Sequence, residues 1–382
     1  MKLIKLIPGE NDKYHFGEGD LADSSIIFHS HSLYSAIINN LIKLYGKDEF
    51  IEIEEKEGKR KEILIKDFKK IRVSSLLPAI YKLEDGKLKN FIYFLPKPAT
   101  RLGFDKETQK KVEEKPKEIK KVQFISINAL QEHNKGELKK NIIGKEFLVS
   151  DNEYKELKNY ENPDDMKLFE SFIEQKVAID RIKQMTLEEE KGQLYSVGYV
   201  KPLIYINKNS CLIVGYYFLL DFKGDNDLLK KIESAIRLIK DEGLGGERSN
   251  GAGLFKKVII EEISDVMDLA TENNNNSNNS DSDKNDLKNM KWMTLSTTIP
   301  KNEEEFKKII SYQLMRIGGY VYSSSNYSSL TKAKKYIYAI KEGAMIEEEI
   351  EGEIVDIHPK GYDHEVLVNG KPILIPTKYY EG

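Results

Sequence analysis

The chain has 382 residues, with 60 basic and 63 acidic side chains and a formal net charge of −3, which excludes a uniformly basic nucleic-acid coat protein. A locally basic groove stays open, because binding follows the local field and not the sum. The single cysteine, Cys211, excludes an intramolecular disulfide framework and any multi-cysteine zinc or iron–sulfur site, which suits a reducing cytoplasm.

At the start, Leu3, Leu6 and Ile7 around Lys2 and Lys5 read as a first strand, too short for a signal peptide before Pro8 and Gly9. A loop, His15-Phe16-Gly17-Glu18-Gly19, leads to a short apolar stretch, Ser25 to Phe28. Leu33, Ile37, Leu41 and Leu44 recur at helical spacing, predicting a helix from about Ser32 to Tyr45. Ser30 or Ser32 is suited to cap it, and Gly46 to stop it. Lys66–Leu77 and Asn90–Leu95 read as strands. From Lys97 to Glu146 lysine dominates, with 13 basic against 8 acidic residues, which reads as an insertion with little core of its own. A polar segment, Asp151 to Asp165, follows.

From Gln193 the pattern turns strand-rich, with Leu194–Val200, Leu203–Ile206 and Cys211–Phe222. A second helix, Leu228–Asp241, places Leu228, Ile232, Ala235, Ile236 and Ile239 on one side, with caps at Asp225 to Asp227 and a stop at Gly243. A strand is expected over Leu254–Ile263. The tract 270–288, nearly all Asn, Ser and Asp at its centre, cannot bury apolar surface and reads as a disordered loop. Further strands are expected at Trp292–Ile299, Tyr320–Ser323, Tyr336–Ile340, Ile354–Ile357, Glu365–Val368 and Ile373–Ile375. No run approaches the ~20 apolar residues of a membrane-spanning helix, so a soluble cytoplasmic protein is expected. Two segments share the outline of strand, long helix and further strands. The class predicted is α+β, most simply a duplicated ferredoxin-like unit.

The segment between the second helix and its strand is Gly243-Leu244-Gly245-Gly246-Glu247-Arg248-Ser249-Asn250-Gly251-Ala252-Gly253. Five glycines let the backbone approach a ligand, and amides, an arginine and a serine together suit phosphate. No Gly-Lys-Ser/Thr follows, so it is no P-loop. The glycines come after a helix and before a strand, the reverse of a dinucleotide fingerprint. The plainer alternative is a long helix-to-strand turn.

This loop resembles the glycine-rich loop of RAMP proteins, the repeat-associated proteins of CRISPR systems. The likeness extends, in order, to His15–Gly19, His29-Ser30-His31-Ser32-Leu33-Tyr34-Ser35-Ala36, Phe94–Pro98, Asp180-Arg181, Gly192–Tyr195 and Gly318–Val321. The ordered set resembles the Csm-type RAMP subunit that caps the foot of type III-A CRISPR effector complexes. That resemblance implies two ferredoxin-like (RRM-like) domains, expected at 1–192, with an insertion at about 97–165, and at 193–382. It implies binding of the 5′ tag of the crRNA, and contacts with a large polymerase/cyclase-like subunit and a backbone RAMP subunit. It implies no catalytic role, and no metal or cofactor is expected.

RNA-binding residues expected on this basis are Gly245, Gly246, Arg248, Ser249, Asn250 and Gly251 of the loop. Arg181 and Lys183 belong to the set as well, just before a hairpin, Met185–Val200, that the resemblance makes the RNA-wedging thumb, with Tyr195 and Tyr199 as wedge or packing residues. Ser30, His31 and Ser32, at a helix start, complete it. The alternative is a repeat endoribonuclease using His29 and His31 as general acid or base. Those two histidines lack a third ligand cluster for a metal, and no motif marks Asp20 or Asp23 as a cleaving aspartate. The run Glu342–Asp356, with seven acids and no base, reads as a solvated face or as a surface meeting a basic protein.

Overall fold

The computed structural model describes residues 1–382 other than 18, 57–58, 178, 181–184, 187–193, 209, 272–289, 322–331, 361, 363 and 382. The fold is α+β. The first strand, Lys2–Ile7, lies between Ser210–Phe222 and Lys257–Glu262 and is antiparallel to both, with Ile4 opposite Phe218 on one side and Ile260 on the other. Leu77–Glu84 flanks the far edge of Ser210–Phe222. In chain order these are the first, third, fourth and second strands of a β-α-β-β-α-β unit, and the sheet runs fourth, first, third, second.

Two helices complete that unit. Ser30–Tyr45 ends at Gly46, whose φ of 86° lets its amide return to the Ile42 carbonyl. Asn226–Glu242 starts at Asp225, whose carboxylate accepts from the amides of Asp227 and Leu228. Leu33, Ile37 and Leu41 of one helix and Ile232, Ala235, Ile236 and Ile239 of the other share one core with Ile4, Leu6, Val214, Tyr216, Phe218 and Leu220 beneath them. The other face of the same strands, with Leu3, Leu77, Ala79, Tyr217 and Leu219, packs against Leu130 of the insertion and Met293, Leu295, Met345 and Ile375 from the C-terminal part. Strands buried on both faces read as near-continuous apolar runs, which explains Cys211–Leu220.

The C-terminal part repeats the order. Lys291–Thr294 lies between Met345–Ile346 and Leu374–Thr377, and Ile309–Ser311 borders Met345–Ile346. Fourth, first, third, second again describes this sheet. A short helix, Glu303–Lys307, follows its first strand, and a hairpin of Ile354–Asp356 and Leu367–Asn369 stands between its third and fourth.

Three expectations are corrected. A boundary at 192/193 would cut through one sheet, since the strands on either side of it, Lys2–Ile7 and Ser210–Phe222, share a ladder. Both long helices belong to the same first unit, and the second unit begins at Lys291. The lysine-rich segment has a core: Phe124–Ser126 extends the main sheet beside Lys87–Pro96, and Val122, Phe124, Ile125, Ile127, Ala129 and Leu130 are buried. The surface helices Lys106–Glu114 and Pro116–Lys121 carry half of its lysines and mask that run. Finally, Lys66–Leu77 is not one strand but a 3-10 turn, Lys66–Lys70, a short strand, Ile71–Val73, and the start of Leu77–Glu84. That last strand turns back at Asp85-Gly86, both at positive φ, into Lys87–Pro96.

Leu219 is fully buried where the two units share a core. Leu219→Ala should lower stability by about 2–5 kcal/mol. In urea, far-UV circular dichroism and the fluorescence of the single tryptophan, Trp292, should give coincident transitions; separated transitions would contradict a shared core.

Candidate nucleic-acid interface

Three segments converge beside the first sheet. The first is the loop after the opening strand, where Lys13 to Phe16 runs back along the glycine loop. Gly246 donates its amide to the His15 carbonyl at 2.9 Å and Gly253 donates to Lys13 at 2.8 Å. The glycines permit this approach: Gly245 has φ 86°, and a methyl on it would sit 2.4 Å from the His15 oxygen. The second is the glycine loop itself, pinned by amides of Asn250, Gly251 and Ala252 returning to Glu247, Arg248 and Glu247. The third is a two-stranded ribbon, Phe169–Val177 against Leu194–Pro202. Its base is fastened by Gly198, whose carbonyl meets His15 Nδ1 at 2.8 Å and whose amide donates to Leu21 at 2.9 Å.

Charge at this junction is arranged around Tyr199. Its ring is buried, with Lys13 Nζ 4.3 Å and Lys176 Nζ 5.2 Å from its centroid. Lys176 donates to Tyr199 Oη and to Glu247 Oε2, both at 2.6 Å. Burial alone would lower the Lys176 pKa, but those two partners raise it above the ordinary lysine value. Glu247 is held below the usual carboxylate range by the same lysine, with Asn250 Nδ2 as a further donor at 2.6 Å. Lys13 pairs with Glu174. Lys13 and Lys176 are therefore matched within the chain, whereas Arg248 and Ser249 are exposed at the loop's tip, with Arg248 Nη1 3.4 Å from the Glu242 carbonyl.

A second polar cluster sits where the first helix starts. His29 Nδ1 lies 2.9 Å from Glu342 Oε1, and both side chains are buried. Ser75 Oγ donates to the same carboxylate oxygen, and Thr297 Oγ1 does so at 3.2 Å. Burial would raise the Glu342 carboxyl, but the charge and hydrogen bond of His29, with Ser75, hold it at about 2. His31 stacks 5.8 Å from His29, and burial, followed by the neighbouring His29 charge, lowers its pKa to about 3. Ser30 donates its amide to Ser75 Oγ at 2.8 Å, and its own Oγ accepts from Thr297 at 2.9 Å. Among the described residues no group of three His, Cys, Asp or Glu is placed to hold a metal ion, and no helix is long and apolar enough to cross a membrane.

The family comparisons follow the same division as the sheets. Residues 12–256 match the RAMP superfamily, and residues 287–377 match the CRISPR Csm4 C-terminal domain. A protein described as CRISPR system Cms protein Csm4 from Methanocaldococcus jannaschii is 38% identical, over 98% of this chain and 97% of its own. The chain belongs to the Csm4 family of RAMP proteins. The Csm4 of Streptococcus thermophilus is 24% identical over 94% of both chains. Among solved structures, a chain of the Csm3–Csm4 subcomplex in the type III-A CRISPR-Cas interference complex is similar with a TM-score of 0.63, 32% identity, and coverage of 99% of this chain and 100% of that one.

The structure keeps some expected Csm4 site residues together and separates others. Gly245, Gly246, Arg248, Ser249, Asn250 and Gly251 share one loop, but the amides of Gly246, Asn250 and Gly251 are used inside the chain and do not form a phosphate cradle. The helix start is corrected too. The capping residue is His29 without a side-chain cap, Ser30 is buried and with His31 meets Thr297 of the second unit, and the Ser32 amide returns to the His29 carbonyl, so these three do not present the expected phosphate site. Arg181 and Lys183 lie outside the described residues. The ribbon's arms are Phe169–Val177 and Leu194–Pro202 and not a Met185–Val200 hairpin, because Met185–Thr186 pairs with Ile179–Asp180 farther along. Tyr199 packs at its base, while Tyr195 is exposed along it. The acidic run is a solvated face over Glu347, Glu348, Glu349 and Glu351, with surface pairs from Glu347 to Lys291, Glu348 to Lys308, and Glu351 to Lys301 and Lys371, whereas the Glu342 side chain at its start is buried. Lys13, Lys176 and Glu247 were not singled out in the sequence, which offers no spacing signal for groups 71 residues apart.

A methyl on Gly198 would sit 2.1 Å from the Ala22 carbonyl oxygen. Gly198→Ala should cost about 1–3 kcal/mol, read by urea denaturation, as the loop is pushed off the ribbon. For His31 the sign is clear: a base whose folded pKa is about 3 is neutral in the fold and takes up a proton on unfolding below its ordinary 6.5. Stability should therefore fall as pH drops from 6.5 toward 3, and His31→Gln should flatten that fall in melting scans; an unchanged slope would contradict it.

Proposed function

We propose that this chain is a non-catalytic RNA-binding and assembly subunit of a type III-A CRISPR–Cas interference complex. It holds the 5′ tag of the crRNA and joins a large polymerase/cyclase-like subunit to a backbone RAMP subunit in antiviral defence. The observation that carries the reading is the junction of glycine loop, opening loop and ribbon, which leaves Arg248 and Ser249 exposed on a rigid base. A guanidinium and a hydroxyl at such a tip suit one phosphate, and the ribbon beside it, with exposed Ile173, Leu194 and Tyr195, suits an unstacked base. Arg181 and Lys183, in the same stretch of sequence, add charge for the backbone. Membership of the Csm4 family, and the likeness to a chain of the Csm3–Csm4 subcomplex, support a Csm3-type neighbour.

The endoribonuclease alternative draws little support from the geometry. A general acid must hold a proton at working pH, and His31, at about 3, does not. His29 is buried against Glu342 at the contact between the units.

Arg248→Ala should weaken capture of crRNA by the reconstituted complex about tenfold, as expected for one charged phosphate contact. Unchanged retention would remove the loop from the RNA path. Cleavage of a CRISPR-repeat RNA by the purified chain, abolished in His29→Ala/His31→Ala, would overturn the non-catalytic reading.

A further inference from the structure

The C-terminal unit carries a second ribbon. Leu314–Ile317 pairs with Ile337–Ile340, Arg316 facing Tyr338, and Tyr320–Val321 pairs with Lys332–Ala333 beyond it. Strand alternation divides its faces. Met315, Ile317, Ile337 and Ala339 pack toward Ile299, Ile357 and Val368. The opposite face leaves Leu314, Arg316, Tyr336 and Tyr338 in solvent, with Tyr336 and Tyr338 59% and 61% exposed and Tyr320 70% exposed farther along. The Arg316 guanidinium lies over the Tyr336 ring, 4.4 Å from its centroid. From Tyr312 to Lys341 the sequence holds five basic residues, Arg316, Lys332, Lys334, Lys335 and Lys341, six tyrosines and no acid, in a chain whose net charge is −3.

We infer that this face is a second binding surface for single-stranded RNA, separate from the glycine loop, with Tyr336 and Tyr338 stacking bases and Arg316 meeting phosphate. The inference rests on the RNA-binding reading of the chain. Two features select the ligand. The one-sided positive charge calls for an anionic partner, and the outward rings call for flat apolar faces alternating with that charge. A single strand offers both, whereas a duplex keeps its base faces stacked. Arg316 already holds one ring in a cation–π contact, so the platform is partly organised before RNA arrives.

The test uses the purified full-length chain and a fluorescein-labelled oligouridylate, with anisotropy at low salt. Tyr336→Ala/Tyr338→Ala should weaken binding about tenfold or more, and Tyr336→Phe/Tyr338→Phe should stay within about twofold of the parent, since stacking needs the ring and not the hydroxyl. Arg316→Ala should reduce the salt dependence as well as the affinity. Arg248→Ala in parallel separates the two surfaces. If Arg248→Ala weakens binding while the tyrosine-to-alanine pair binds as the parent does, the second surface is overturned and the loop stands. If the parent chain binds no RNA, both fall. Should the alanine pair misfold, ultraviolet crosslinking of the parent to the oligouridylate decides: adducts on Tyr336 or Tyr338 support the surface, and adducts confined to other segments overturn it.

Discussion

Burial of the strand Ser210–Phe222 on both faces is the constraint on which the molecule depends. Val214, Tyr216, Phe218 and Leu220 face the two helices, and Tyr217 and Leu219 face the insertion and the C-terminal unit. A strand with one wet face would fix only the first unit. This one makes the second unit part of the same packed body, so loops and ribbons from distant parts of the sequence hold fixed positions. The glycine loop follows a helix anchored on this strand, and the first ribbon leads into it by way of Ile204–Asn207.

Buried polar groups sharpen that joint. Glu342, beyond the ribbon of the C-terminal unit, reaches His29, Ser75 and Thr297, so one carboxylate ties the first helix, the sheet and the second unit. Removing a charge from water is unfavourable unless it is paired, and here three polar groups meet the Glu342 Oε1. His133 does comparable work at the other contact. Its Nδ1 accepts from the Gly103 amide at 2.9 Å and its Nε2 lies 3.0 Å from the Lys378 carbonyl, an arrangement that suits the neutral ring; burial lowers its pKa to about 4. These contacts set the angle between units by direction, which apolar packing alone does not supply.

The α+β class and both long helices were legible, because period and caps agree at Leu33, Ile37 and Leu41, at Asp225 and at Gly243. The pairing of Lys2–Ile7 with Ser210–Phe222 was not, since a ladder between residues two hundred apart leaves no local trace. Asp85-Gly86 was a readable hairpin signal, and Phe124–Leu130 a readable apolar run hidden by lysine on either side. At the site, the glycines pointed to close approach, but what approaches is the His15 backbone. Composition shows that a backbone must come near and not whose. Glu342 illustrates the converse, being indistinguishable in sequence from the exposed glutamates that follow it.

The central claim is that this Csm4-family chain is an RNA-holding joint between protein subunits. Purifying the tagged chain from its own cell at low salt, identifying the proteins that accompany it and sequencing the RNA tests this most directly. The account predicts short RNAs sharing one repeat-derived 5′ end, together with backbone RAMP and large polymerase/cyclase-like subunits. Recovery of those proteins with no RNA, or of RNA without a common 5′ end, would contradict it.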